Sequence, residues 1–530
     1  MKRSAIIVLD TGTTSMRGIL FGHGGGNLGM RQVDNAPEYC SDGRVEQDAS
    51  TWGKALALIL SALAETAEVR DVKVEALALT SQRSSVLPVD NEGIPLHRTI
   101  MWQDTRTEGI CASLAGFNSL VYSRTGLRIS PIFSAAKMRW FRDFLPSVYA
   151  GTHKMLGIQD YLLHLLTGRF CTDRSLASRT NLFNLETLDW DQELVDAFGV
   201  DRRLLCDLID PGAPAGSLRD SLASASGLAG GIPVFSCGGD QQCAALGMGL
   251  LGGSEAVANT GTGSYVLGCS PIPVRDPAMS LSCNVAAVPG TYIVEAAILA
   301  GGAVYRWFRD RFYGKAEGGD YFWEINAEVQ ASPPGSRGVL LMPNFRGAGA
   351  PRWNPMAKGY FYGLGLATSR GDMARSILEG IAFSMKEGLD LMEAVAGKKN
   401  RIIVAGGLVK FDEFVRIMAD VFGLPVELAE ESESTALGAW IRVSRSLGWH
   451  GSEAEAFSAA MGSAPRRIFE PDPERMRTYR LAMERRFPTH NACPNFQPWP
   501  SGTMAEEDEV GQGSLGKAEA RAWPESAAKA

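Results

Sequence analysis

The chain alternates short apolar runs with amphipathic stretches. Residues 5–9 (AIIVL) form an unbroken apolar run that stops at Asp10, and a second β-rich run closes at Phe21. With a Gly/Thr turn between them, segment 5–21 reads as a β-hairpin. Residues 51–68 carry helical periodicity, and 74–80 read as a strand feeding a polar turn at Ser81–Ser85. Strands interleaved with helices predict an α/β fold. The pattern restarts near residue 231. A strand over Ile232–Ser236, a Gly-Gly-Asp turn and a helix of small residues precede a second hairpin at 255–269. A third glycine turn, Ala405-Gly406-Gly407, separates a strand at Arg401–Val404 from a helix near 411–422. The two similar hairpins suggest an internal duplication. They divide the chain into an N-terminal domain, 1–248, and a C-terminal domain, 249–490. Apolar periodicity then stops, and 491–530, rich in Pro, Gly, Ser, Ala and Glu, reads as a disordered tail.

Composition narrows the picture. A chain of 530 residues exceeds what one core usually holds, so at least two domains are expected. The net charge of −7 argues against nucleic acid as a partner, but a nucleotide can still be held by backbone N–H groups. Nine dispersed cysteines without a C-x-x-C pair read as reduced thiols of a cytoplasmic enzyme. The six isolated histidines offer no zinc-type cluster. The N-terminal apolar run is too short for a signal peptide, and no stretch approaches a membrane span.

Candidate chemistry lies at the glycine turns. Asp10-Thr11-Gly12-Thr13-Thr14-Ser15 puts a carboxylate at a strand end, then a glycine among hydroxyls, which suits a Mg-bound phosphate; Arg17 could add positive charge. One such turn alone is as well explained by ordinary turn preference. The second at Thr260-Gly261-Thr262-Gly263, together with Gly406-Gly407, tips the balance toward phosphate. Gly511–Lys517 matches G-x-x-x-x-G-K but has Ala518 in the Ser/Thr position and no preceding strand, so it is a chance match. Asp240 follows two glycines; spacing alone makes it the N-cap of a helix over 241–249.

The segments VLDTGTTSMR, MWQDTRT (101–107), GGDQQCAALG (238–247), NTGTGSY (259–265), AGGAVYRWFRD (300–310), GAGAPRWNPMAKGYFYGL (347–364) and AGGLV (405–409) occur in this order. Together, over about residues 5–445, they resemble the FGGY family of carbohydrate kinases. The resemblance implies two actin-like (ribonuclease H-like) α/β domains with ATP in the cleft between them. It implies ATP and Mg2+, a small sugar or polyol as partner, and transfer of a phosphoryl group to a hydroxyl. By matched motif, Thr13, Thr14, Ser15, Arg17 and Thr262 would line the phosphates, and Gly302 and Gly407 would lie against the nucleotide. Asp10 and Asp240 would face the metal, and Asp240 would be the catalytic base.

On the acceptor side, TSQR, WQD and GDQQ look like the glycerol kinase pattern, while the Trp307 and GAPRWNP segments look equally like xylulokinase or autoinducer-2 kinase. Arg83, Trp102 and Gln241 match acceptor-contact positions; Asp104 and Arg106 read better as an internal ion pair. Three matched positions depart from the glycerol pattern: Ser84 replaces an acidic residue, Ile132 a tyrosine and Tyr265 a phenylalanine. These changes remove an ionised acceptor and enlarge the site, pointing to a longer polyol or a ketose. A non-enzymatic member of the actin-like superfold would have no use for Arg83, Trp102, Asp240 and Gln241 together. A degenerate, sugar-responsive sensor fits the altered Ser84 and Ile132 but not the intact phosphate motifs. A homo-oligomer is left open.

Overall fold

Two sheets with one plan organise the chain. The computed structural model describes residues 3–314, 322–354, 356–429, 433–462 and 466–492. The expected tail lies, beyond Ala492, outside the described residues, as does Gly511–Lys517. Residues up to Met483 form one compact unit.

In the first sheet, Arg3–Thr11, Ser15–Gly22 and Asn27–Asp34 form an antiparallel meander. Val72–Ser81 lies parallel to the first strand, Pro233–Gly239 parallel to Val72–Ser81, and Ala213–Ser217 closes the edge antiparallel. The second sheet repeats this plan. Glu255–Thr260, Ser264–Ser270 and Tyr292–Ile298 are antiparallel. Arg401–Gly406 and Val426–Leu428 follow in parallel, and Ile468–Phe469 closes antiparallel. Ser282–Val285 adds an outer strand beside Tyr292–Ile298. The repeated hairpin read from the sequence is thus the start of a repeated sheet.

The central strands are apolar on both sides because both faces of each sheet are covered. Helix Ser50–Val69 buries Trp52, Leu56, Ile59 and Leu63 on one face of the first sheet. The other face is covered by helix Asp240–Gly247 and by Ser434–Ser446, which returns from the far end of the chain to bury Leu437, Trp440 and Ile441 there. These two helices cross at glycines. A Cβ on Gly438 would stand 1.9 Å from the carbonyl oxygen of Cys243, so only glycine fits. Helix Arg370–Ala396 packs the second sheet through Ile377, Ile381, Met385 and Leu389.

The architecture brings functional groups to strand ends. Arg3–Thr11, Val72–Ser81 and Pro233–Gly239 run parallel, so their carboxyl ends deliver Asp10, the Gln82–Arg83 turn and Asp240 to one edge. Ligands of parallel α/β sheets bind at such edges. In the second sheet the ends of Glu255–Thr260 and Arg401–Gly406 bring the Gly261–Gly263 turn beside Gly406-Gly407.

Candidate active site

The first hairpin turns over Gly12–Thr14, with the Gly12 N–H donating to the Ser15 carbonyl at 3.0 Å. It is tied to the next strand end: Gln82 N–H donates to the Thr11 carbonyl at 2.8 Å and Gln82 Nε2 to the Gly12 carbonyl at 3.1 Å. Trp102 Nε1 donates to Thr13 Oγ1 at 3.1 Å, and the Trp102 backbone N–H to Ser85 Oγ at 3.1 Å. Expected phosphate and acceptor residues are therefore hydrogen-bonded to one another. Arg17 forms an ion pair with Glu433 at 2.8 Å rather than standing free toward the turn.

Asp240 is not the N-cap that spacing alone suggested. Gly239 occupies that position in extended geometry, and Asp240 is the first helical residue. Its Oδ1 accepts the N–H of Gln241 at 2.7 Å and stands 3.2 Å from Arg83 Nε. Gly239 allows this approach, since a Cβ there would meet Arg83 Cδ at 2.5 Å. Burial raises the Asp240 carboxyl above its ordinary range, while Arg83 and the Gln241 N–H hold it down. Asp10 is pushed up to about 7, first by burial and then by the Asp240 charge.

Tyr265 lies opposite Ala297 on the second sheet, its hydroxyl raised by burial and by Glu295. Gln241 Oε1 is buried without a hydrogen-bond partner. Ser84 adopts φ +71°, the left-handed region, and its Oγ donates to the Arg179 carbonyl at 3.2 Å. Ile132 is 37% exposed, on the loop before helix Ser134–Phe144. Lys137 Nζ holds that loop through the carbonyls of Pro131 and Ile132 at 2.6 and 2.7 Å. Asp104 and Arg106 form the expected internal pair at 2.7 Å, joined by Glu46.

On the second sheet, Thr262 lies in the exposed hairpin turn. Gly302 opens helix Gly302–Phe312, its N–H donating to the Gly261 carbonyl at 2.8 Å. Gly407 follows its strand with open space where a side chain would start.

Two residues were missed by sequence reasoning. Arg179 is buried with its guanidinium 4.8 Å over the Phe133 ring and Nη1 3.3 Å from Asn284 Oδ1. Glu295 is buried with Oε2 3.8 Å from Arg83 Nη1. A carboxylate inside the otherwise apolar strand YIVEAAI was the available signal.

Residues 5–247 match the N-terminal domain and 256–447 the C-terminal domain of the FGGY family of carbohydrate kinases. The chain belongs to this family. Among its relatives is a glycerol kinase of Alkalilimnicola ehrlichii, 34% identical over 495 residues that cover 91% of this chain and 98% of that one. A glycerol kinase of Dechloromonas aromatica is 34% identical over 88% of this chain and 93% of its own. Similar solved structures include a gluconate kinase from Lactobacillus acidophilus, with TM-score 0.87 and 25% identity over 92% of this chain and 98% of that one. A ligand-bound xylulose kinase from the same organism has TM-score 0.86 and 25% identity over the same shares. As an FGGY kinase with two actin-like α/β domains, the protein is an ATP-dependent phosphotransferase that acts on an alcohol group of a small polyol or sugar. No helix among the described residues is long and apolar enough to cross a membrane.

Proposed function

We propose that Asp240 is the general base and that the acceptor is a polyol or ketose longer than glycerol. The observation that carries the first part is the convergence of Asp10, Arg83 and Asp240 at the ends of three parallel strands, with Arg83 on the Asp240 carboxylate. The acceptor hydroxyl would donate to Asp240. As its oxygen bonds to the γ-phosphorus and the bond to the bridging β–γ oxygen breaks, its proton passes to the carboxylate. Trp102 would pack on the acceptor's carbon chain, and Arg83 and Gln241 would bind its further hydroxyls, with Tyr265 on the opposite wall. Thr13, Thr14 and Ser15, with Thr262, would receive the phosphates, and Gly302 and Gly407 leave room for the nucleotide. We read Arg17 as a member of this set, drawn there from Glu433.

Asp10 and Asp240, at the carboxyl ends of parallel strands and each raised in part by burial, suit a divalent cation that would relieve the repulsion of Asp240 on Asp10. Among the described residues no group of three or more His, Cys, Asp or Glu stands ready to hold a metal, so Asp10 and Asp240 would share Mg2+ with the ATP phosphates and water. When bound, Mg2+ would neutralise charge on the transferring group.

The acceptor reading rests on Ser84, Ile132 and Tyr265. Glycerol itself is the second reading, favoured by glycerol kinase relatives at 34% identity. An ATP-coupled screen over glycerol, erythritol, ribitol, xylitol, xylulose, ribulose and gluconate decides between them. The highest kcat/KM is expected for a four- or five-carbon member; strong preference for glycerol would overturn the longer-acceptor reading. We also read the protein as cytoplasmic, in keeping with eight unpaired cysteines among the described residues. Its net charge of −7 argues against nucleic acid as a partner.

A further inference from the structure

We propose that Glu295 is a positioning residue that draws Arg83 off Asp240 when the acceptor binds, freeing the base. This rests on the reading of Asp240 as base. In the structure Asp240 is engaged: Arg83 Nε lies 3.2 Å from Oδ1, which also accepts the Gln241 N–H. A carboxylate held by a guanidinium is a poor proton acceptor, because transfer must work against the ion pair. An acceptor hydroxyl aimed at the same oxygen competes with Arg83 directly.

Arg83 has a second place to go. Its Nη1 stands 3.8 Å from Glu295 Oε2, within ion-pair reach but beyond hydrogen-bond length, and that oxygen has no hydrogen-bond partner. Glu295 is only 6% exposed, in the middle of strand Tyr292–Ile298, where an unfilled carboxylate oxygen is costly. The other Nη1 partner is neutral, Gln242 Oε1 at a marginal 3.4 Å. A small shift of the guanidinium toward Glu295 would complete a charge-assisted bond there as the Asp240 bond opens. The positive charge never goes uncompensated, and Arg83 stays beside the acceptor's hydroxyls. Asp240 belongs to the helix behind the first sheet and Glu295 to the second sheet, so the exchange joins acceptor arrival to both halves of the site. Without acceptor the base stays latched, which disfavours activation of water against ATP.

The test begins with wild type and the panel above, to establish which acceptor turns over fastest; Asp240→Asn with that acceptor tests the base reading separately, and near wild-type transfer by it would sink that reading and this proposal together. With the fastest acceptor, Glu295→Gln is expected to lower kcat at least about tenfold and raise the acceptor KM, leaving the KM for ATP within about twofold. Glu295→Asp, which keeps the charge, should recover most of the loss. Unchanged kcat and acceptor KM in Glu295→Gln, or equal damage to the ATP KM, would overturn the proposal. Should Glu295→Gln fail to fold, a crystal structure of wild type with ADP and that acceptor decides. Arg83 hydrogen-bonded to Glu295 and parted from Asp240 is expected; Arg83 still paired with Asp240 would overturn it.

Discussion

Trp102 donates its indole N–H to the hydroxyl of Thr13 at 3.1 Å, joining the residue proposed to pack on the acceptor to the turn proposed to receive the phosphates. The bond crosses 89 residues of sequence and fixes both side chains at once. Trp102→Phe keeps an aromatic surface and removes the donor, a loss of about 1 kcal/mol. Steady-state kinetics should show KM rising severalfold for both the acceptor and ATP, with the melting temperature little changed. A change confined to the acceptor would show that the bond does not couple the two substrates.

Ser84 stands where the glycerol pattern has an acidic side chain, and its backbone is left-handed at φ +71°. Ser84→Glu places a hydroxyl-binding carboxylate beside Arg83. The ratio of kcat/KM for glycerol to that for the longer acceptors is expected to rise about tenfold or more, as a charged hydrogen bond to substrate allows. Competition assays on the purified variant would read this ratio; an unchanged ratio would remove Ser84 from the specificity argument.

Lys137 is fully buried, and burial pushes its ammonium down to about 7, against the raising effect of Asp104 and Cys111 and with the lowering effect of Arg106. Its folded pKa lies below the unfolded value of about 10.4. Between about 7 and 10.4 the unfolded chain therefore binds more protons than the native one, and stability rises with pH in that window. Wild type should gain melting temperature relative to Lys137→Met from pH 7 to pH 9. A difference between the two that stays flat would show that the ammonium titrates normally. Because Lys137 holds the carbonyls of Pro131 and Ile132, the same variant should raise the acceptor KM.

Much of this was legible in local pattern. The hairpins at 5–21 and 255–269, the helix at 51–68 and the glycine turns before Asp240 and after Arg401–Val404 all formed as read, because each rests on short-range periodicity and turn chemistry. Asp240 was singled out by its motif, but its place as first helical residue was not read, since Gly239 and Asp240 both suit a helix start. Arg179 and Glu295 escaped because their meaning is tertiary. Arg179 packs on Phe133 and bonds Asn284, 105 residues away, and Glu295 reaches an arginine from the other sheet. The return of helix Ser434–Ser446 to the first sheet is equally silent in sequence: its apolar face states only that some surface covers it.

The central claim is that Asp240 takes the acceptor's proton. Asp240→Asn preserves size and the hydrogen bond from Gln241, and removes the charge. Single-turnover transfer from ATP to the best acceptor, measured beside ADP affinity by calorimetry, separates chemistry from binding. The account predicts a loss of about 100-fold or more in the transfer rate, with ADP affinity within a few-fold of wild type. Transfer at near wild-type rate by Asp240→Asn would contradict it.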